Sequence, residues 1–311
     1  MSETREKIGG VSLDHTWYPG EDLYSDGTVE EKLLEIAKGD PALIPERIVK
    51  EKDWAVLYHF SPVRENIVSW IPFAGSDKVL EIGAGCGAIT GALARGAGSV
   101  TCVELSDRRS RINAFRHRDC DNIEILVGNY GDIEPHLAKD YDYVTLIGVF
   151  EYGSSYIEGK DPYLTFLCQA RDHLKPGGTL VIAIENRLGL KYFAGCREDH
   201  TGELFDGIED YPRPAHAHTF SRPALEKLFA AAGFKTPQFY YPFPDYKLPS
   251  RIYSDERLPE EGELQDNIWN FDRERLVLFD ESRTWDSLIR DGLFPLFSNS
   301  FLVMLKKDEN Q

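Results

Sequence analysis

The sequence predicts an α/β fold, a mostly parallel sheet with helices on both faces, and three observations predict it. From Asp77 onward, short apolar runs of strand length alternate with longer amphipathic stretches, the pattern of a parallel sheet covered on both sides. The first apolar run, Lys78–Ile82, leads into a glycine-rich turn, Gly83-Ala84-Gly85-Cys86-Gly87, that opens a helix carrying Ile89 and Leu93 and stopped by Gly96. An acid, Glu104, closes the next apolar run seventeen residues after Gly87.

Residues 1–75 read as a helical lead-in or lid. Thr28-x-x-Glu31 has the form of a capping box ahead of Leu33, Leu34, Ile36 and Ala37. Ser61-Pro62 starts a helix with Ile67, Val68, Trp70 and Ile71, proline taking the first helical position. Residues 76–311 hold the sheet. Its strands are expected at Lys78–Ile82, Val100–Glu104, Ile123–Val127, Tyr143–Ile147, Thr179–Ile184, Gln238–Tyr241 and Ser300–Leu305. A helix over Tyr163–Leu174 is closed by Lys175-Pro176-Gly177-Gly178. Ser221 caps another, with Leu225, Leu228 and Phe229, that ends at Gly233. Residues 187–218 and 250–296 break the alternation. Insertions at strand ends of an open sheet shape the ligand pocket, so both read as lid and substrate wall.

Composition bounds the partners. Apolar residues make up 42% of 311, enough for a sizeable core, and the net charge is −17. That balance argues against a nucleic-acid partner, since phosphate binding needs clustered Lys and Arg. The run Arg108-Arg109-Ser110-Arg111 reads as a solvated helical face. Five cysteines without paired spacing argue against a disulfide framework. No apolar run has bilayer-spanning length, and the start lacks the apolar stretch of a signal peptide. The expectation is a cytoplasmic protein with no membrane span.

A glycine turn between strand and helix lets the backbone approach a nucleotide-like ligand, with helix amides aimed at it. A carboxylate at Glu104 is placed to accept hydrogen bonds from ribose hydroxyls. Both features also serve a dinucleotide, because Gly83-x-Gly85-x-x-Ala88 fits that fingerprint. Yet Glu81-x-Gly83-x-Gly85-x-Gly87 is the pattern of class I S-adenosylmethionine (SAM) dependent methyltransferases. From about Tyr24 onward the chain resembles bacterial members of that family. It is most similar to a subgroup associated with cell-surface glycan and glycosyltransferase gene neighbourhoods. The stretches that carry the closer likeness are 58–66 (Tyr58-His59-Phe60-Ser61-Pro62-Val63-Arg64-Glu65-Asn66), 185–192, 199–202, 219–222 and 299–302.

The resemblance implies the Rossmann-like class I methyltransferase fold, seven-stranded with the last strand inserted antiparallel, and SAM as cofactor. It implies that Glu81, Gly83, Ala84, Gly85 and Gly87 cradle the donor and that Glu104, with Leu105, meets its ribose. After the third strand, Asn129, Tyr130 and Asp132 fall where the family contacts the adenine edge. Many members carry Asp where Asn129 stands. After the fourth, Gly148, Val149 and Phe150 match the loop that packs on adenine and the methionine chain. Many members carry His where Tyr152 stands. Tyr58 and Arg64 are candidates for the methionine carboxylate, Arg being suited to a carboxylate fork; pairing of Arg64 with Glu65 or Asp53 is the alternative.

Methyl transfer from a sulfonium mainly needs alignment and a dry site. A hydroxyl acceptor benefits from a general base, whereas an amine only has to arrive unprotonated. Bases and orienters are expected among Glu151, Tyr152, Glu185, Asn186 and His200, with His200 preferred as the base. The acids Asp199, Glu203 and Asp206 beside His200 could hold Mg²⁺ against a diol acceptor, but loop acidity explains them as well, and no metal is assigned. The expected function is methyl transfer to a small-molecule or sugar/glycan acceptor, on oxygen. N-methylation of an amine or protein side chain is one alternative. A non-catalytic SAM-binding subunit among glycosyltransferase-associated proteins is another, with the aromatic run 239–244 as its contact patch. An NAD-linked oxidoreductase is the third.

Overall fold

The computed structural model describes residues 4–22, 24–25, 27–266 and 274–309. The chain forms two compact units. Unit 1 takes residues 1–146, 169–180 and 309–311; unit 2 takes 147–168 and 181–308. These bounds differ from the expected division at 75/76. Residues 267–273, within the expected insertion 250–296, lie outside the described residues.

Unit 1 is built on strands β1 (Arg5–Ile8), β2 (Val11–Trp17), β3 (Lys78–Ile82), β4 (Ser99–Glu104), β5 (Ile123–Gly128) and β6 (Tyr141–Ile147), in the order β1-β2-β5-β4-β3-β6. β2 through β6 run parallel, and only β1 is antiparallel, as a hairpin with β2. Val79, Leu80, Ile125, Val127, Val144 and Leu146 are fully buried, which is why these strands read as near-continuous apolar runs. The hairpin corrects the helical reading of residues 1–75. Its first strand, Arg-Glu-Lys-Ile, is mostly charged, and β2 is held by pairing with β5 (Leu13 opposite Ile125).

Helices Val29–Lys38, Ile44–Glu51 and Trp54–Phe60 follow the hairpin. Leu33, Ile36, Ala37, Val56 and Phe60 pack with Cys86 of the glycine turn and Ile112 of the helix Asp107–Arg116. The lead-in helices thereby pack against the glycine turn through Cys86. Two local expectations fail. Thr28 is already in helical conformation and makes no capping bond. Ser61-Pro62 opens a 3₁₀ helix, Pro62–Ile67, in place of an α-helix, although Ser61 does accept from the Val63 amide (3.3 Å).

Strand β7 (Leu174–Glu185) has residues 174–180 in unit 1 and 181–185 in unit 2. The expected turn at 175–178 is therefore already strand, and the preceding helix, Pro162–Asp172, stops without it. Unit 2 adds β8 (Gln238–Phe243), β9 (Arg251–Ser254) and β10 (Ser300–Lys306), in the order β7-β10-β8-β9. β10 runs antiparallel to β8, as expected of the last strand, and lies between β7 and β8. The seven expected strands are thus β3 to β8 and β10, with β1, β2 and β9 as additions. The aromatic run on β8 alternates: Phe239, Tyr241 and Phe243 are buried against Phe301, Phe294 and Trp285. These side chains are core, which removes them as a contact patch. Among the described residues no helix is long and apolar enough to cross a membrane.

Candidate active site

In unit 1 the turn after β3 is shaped by glycine. Gly83, Gly85 and Gly87 have φ of +73°, +55° and +73°, a region that L side chains rarely adopt. At Gly87 a Cβ would sit 2.3 Å from Asn113 Oδ1, so the helix Asp107–Arg116 approaches the turn as closely as glycine permits. At Gly85 a Cβ would meet nothing within 4 Å. That open space above the turn is what a bound nucleoside requires. The Gly85 N–H donates to Glu104 Oε2 (2.7 Å) and the Ser106 N–H to Glu104 Oε1 (3.0 Å). Each carboxylate oxygen keeps a further lone pair for a hydroxyl. The residues present therefore fit an adenosine-bearing cofactor.

Glu81 lies beneath the turn. Its Oε2 accepts from Thr90 Oγ1 (2.7 Å) and from Cys102 Sγ (3.4 Å), and Asn113 Nδ2 donates on to Thr90 Oγ1 (3.1 Å). The Glu81 carboxylate thus braces turn and helix from inside. Burial pushes it up to about 7, against those two hydrogen bonds. The folded chain holds this proton more tightly than the unfolded one, whose value is near 4.5. Folding stability therefore falls as pH rises from about 4.5 to 7, by on the order of 2–3 kcal/mol. Glu81→Gln keeps an acceptor for Thr90 and has nothing to ionise. Thermal melts at pH 5 and pH 8 should show the variant gaining on the wild type at the higher pH; parallel melts at both would refute the assignment.

Leu105 and Ser106 follow Glu104, and here the structure adds a residue the sequence did not signal. Asp22 accepts from the Asp107 amide (2.7 Å), Ser106 Oγ (3.0 Å) and the Arg108 amide (3.3 Å), so the lead-in places a carboxylate on the N-terminus of the helix Asp107–Arg116. Asn129 Oδ1 caps its own short helix through the Gly131 amide (3.0 Å), Tyr130 is buried and Asp132 is exposed. Arg64 is buried with its guanidinium stacked 4.3 Å from the Tyr58 ring centre. The alternative partners are taken elsewhere, Asp53 by Lys32 (2.8 Å) and Glu65 by Arg95.

In unit 2, Gly148 (φ +69°) faces Tyr246, whose hydroxyl would stand 2.7 Å from a Cβ there, and Val149 is half-buried. Phe150, expected against adenine and methionine, is fully buried among Phe220, Tyr163 and Phe166 at 5.6–6.1 Å between ring centres. Its side chain belongs to the core. Asn186 is likewise corrected. It is fully buried, and its Nδ2 donates to the carbonyls of Leu296 (2.9 Å) and Ser298 (2.7 Å) while its Oδ1 accepts from the Leu188 amide. With both donors spent on backbone, it ties segments together and has no donor to offer an acceptor molecule.

Glu185, the last residue of β7, stands among charges. Lys247 Nζ is 2.6 Å from its Oε1, and His200 Nε2 is 3.5 Å from its Oε2. Lys247 also reaches Asp199 (2.5 Å), and Lys191 bridges Asp199 (2.8 Å) and Asp245 (2.7 Å). Burial alone would raise the Glu185 pKa, but Lys247 and His200 hold it well below the usual carboxylate range. Burial works against the His200 imidazolium, yet Glu185 beside it pushes the ring up to about 9. Glu185 thus favours the protonated ring, and His200 must give up that proton before it can serve as the expected general base. Glu151 is 1% exposed, and burial together with Glu185 pushes it up to about 8. Tyr152 OH lies 3.2 Å from His200 Nδ1.

The loop that carries His200 is organised from within. Buried Glu198 accepts from the amides of His200 (2.7 Å) and Thr201 (2.6 Å) and from Tyr211 OH (3.2 Å). Phe205, Asp210 and Tyr211 have positive φ, a cost that ordinary loops avoid. Glu185, His200 and Tyr152 are brought together as expected. Lys191, Asp245 and Lys247 join them, and no local sequence pattern marks these three as site residues.

The methyltransferase domain family model matches residues 54–238. The demethylmenaquinone methyltransferases of Tropheryma whipplei strains Twist and TW08/27 are each 36% identical to this chain over 106 residues, 34% of it and 41% of their own length. The chain thus spans less than half of the curated relatives it matches. Among solved structures it is similar to a SAM-dependent methyltransferase of Thermotoga maritima (17% identity, TM-score 0.46, 86% of this chain and 100% of that one). It is also similar to one of Archaeoglobus fulgidus (15%, 0.45, 89% and 99%). The matched span takes in the glycine turn, Glu104, the loop after β6 and all of β7, and by it the chain belongs to the methyltransferase domain family, in the class I Rossmann-like fold that takes SAM as its cofactor.

Proposed function

We propose that this protein is a SAM-dependent methyltransferase that methylates a hydroxyl of a small-molecule or sugar acceptor, in the cytoplasm and in the company of glycan-assembling enzymes. The observation that carries the donor half is the open space over Gly85 with Glu104 fixed beside it by two backbone amides. When bound, SAM supplies an electrophilic methyl group. The chain's own part is to hold the donor through the turn, Glu104 and the polar residues after β5. Support for a hydroxylated acceptor comes from unit 2, where Lys191 and Lys247 alternate with Glu185, Asp199 and Asp245. Donors and acceptors in alternation suit hydroxyls, which do both.

Incubation with methyl-labelled SAM and a panel of sugars, glycosides and amines tests the reading. Label should pass to hydroxylated acceptors, and SAM and S-adenosylhomocysteine, not NAD, should bind in calorimetry. Transfer to amines alone would overturn the acceptor class. NAD binding without SAM binding would overturn the donor.

A further inference from the structure

We propose that Glu151, Glu185 and His200 form a site for one divalent transition-metal cation. All three belong to unit 2, and the site does not depend on the methyl-transfer reading. One oxygen from each glutamate and one imidazole nitrogen lie within 4.8 Å of one another. Donors around a tetrahedral ion bound at 2.0–2.2 Å stand about 3.4 Å apart. The His200 Nε2 to Glu185 Oε2 separation of 3.5 Å already has that value, and an oxygen of Glu151 lies within 4.8 Å of both partners.

The proposal rests on more than an acidic cluster. The Glu151 carboxylate is buried, and neither of its oxygens has a hydrogen-bond partner. A carboxylate so placed is costly until something answers its charge. The neighbouring cation, Lys247, is engaged at Oε1 of Glu185 and at Asp199, which leaves Oε2 of Glu185 turned toward His200. His200 Nε2 also lacks a hydrogen-bond partner, while Nδ1 is held by Tyr152 OH. A cation bound at Nε2 would displace the proton that Glu185 holds there, with Nδ1 fixed by its neighbour, the arrangement of a metal-ligating imidazole. Glu198 fixes the loop beneath it through two amides. Two carboxylates and one imidazole form a mixed oxygen and nitrogen set suited to Zn²⁺, Mn²⁺ or Fe²⁺ more than to Mg²⁺, which prefers oxygen alone.

The test uses the full chain, stripped with chelator and titrated with Zn²⁺ and with Mn²⁺ by calorimetry, with uptake counted by elemental analysis. One equivalent should bind. Glu151→Gln, which keeps the side-chain shape, and His200→Ala should each weaken binding at least about tenfold. His216→Ala, at an exposed histidine, should leave it unchanged. Melting curves establish that each variant is folded, and His200→Ala carries the comparison if Glu151→Gln is not. No uptake by the folded wild type, wild-type affinity in both ligand variants, or an equal loss in His216→Ala would each overturn the site.

Discussion

Glu104→Ala is expected to weaken SAM binding by about 30- to 100-fold, on the order of 2–3 kcal/mol, the usual worth of hydrogen bonds to a charged group. The carboxylate is buried and does two things at once. It accepts from the Gly85 and Ser106 amides, and so fixes the turn and the entry to the following helix in one relative position. It also leaves lone pairs for the ribose. Truncation orphans the buried Ser106 amide and the half-buried Gly85 amide and releases a turn whose glycines have many alternative conformations. Glu104→Gln is not a mild substitute, because its amide must set an N–H against either Gly85 or Ser106. It should fall between the wild type and Ala. Calorimetry with SAM and S-adenosylhomocysteine gives the affinities, and melting curves separate loss of binding from loss of fold. A folded Ala variant with wild-type affinity would remove Glu104 from the donor site and, with it, the reading of the turn.

The sheet was legible because strands buried on both faces must be apolar throughout, as Val79, Leu80, Val144 and Leu146 are. The turn was legible for a related reason: positive φ at positions 83, 85 and 87 leaves glycine as the residue that fits. The N-terminal hairpin was not, because Arg5-Glu6-Lys7 takes its strand conformation from register with β2, and β2 from β5. Propensity in a charged tetrapeptide carries no record of that pairing. Glu185, His200 and Tyr152 could be picked by residue type at strand ends and in the lid rich in Gly, Asp, His and aromatics. Their chemistry could not. His200 is pushed up to about 9 by a carboxylate fifteen residues away in sequence, and Lys247, which holds Glu185 ionised, comes from a separate segment. Lys191 meets Asp245 across 54 residues. Phe150 shows the same limit from the apolar side: an aromatic in a ligand loop and one in a core look alike until Tyr163, Phe166 and Phe220 close around it.

Asn186→Asp is expected to cost about 3 kcal/mol or more of stability, and Asn186→Ala somewhat less. The side chain is fully buried, and its amide nitrogen gives both protons to backbone carbonyls 110 and 112 residues further on. Its oxygen takes the Leu188 amide, and its own N–H donates to the Asn299 carbonyl (3.0 Å). Asn186 therefore joins the end of β7, the turn that follows and the approach to β10. Aspartate keeps the shape but sets a carboxylate against two carbonyl oxygens, losing two donors and burying an unanswered charge. Alanine leaves the same carbonyls unsatisfied without adding charge. Urea unfolding should place the order as wild type, Ala, Asp, with the gap between wild type and Asp exceeding that of an ordinary surface change. If Asn186→Asp folded with near wild-type stability and yet lost methyl transfer, the residue would act on the acceptor, and the structural role argued from its two spent donors would be wrong.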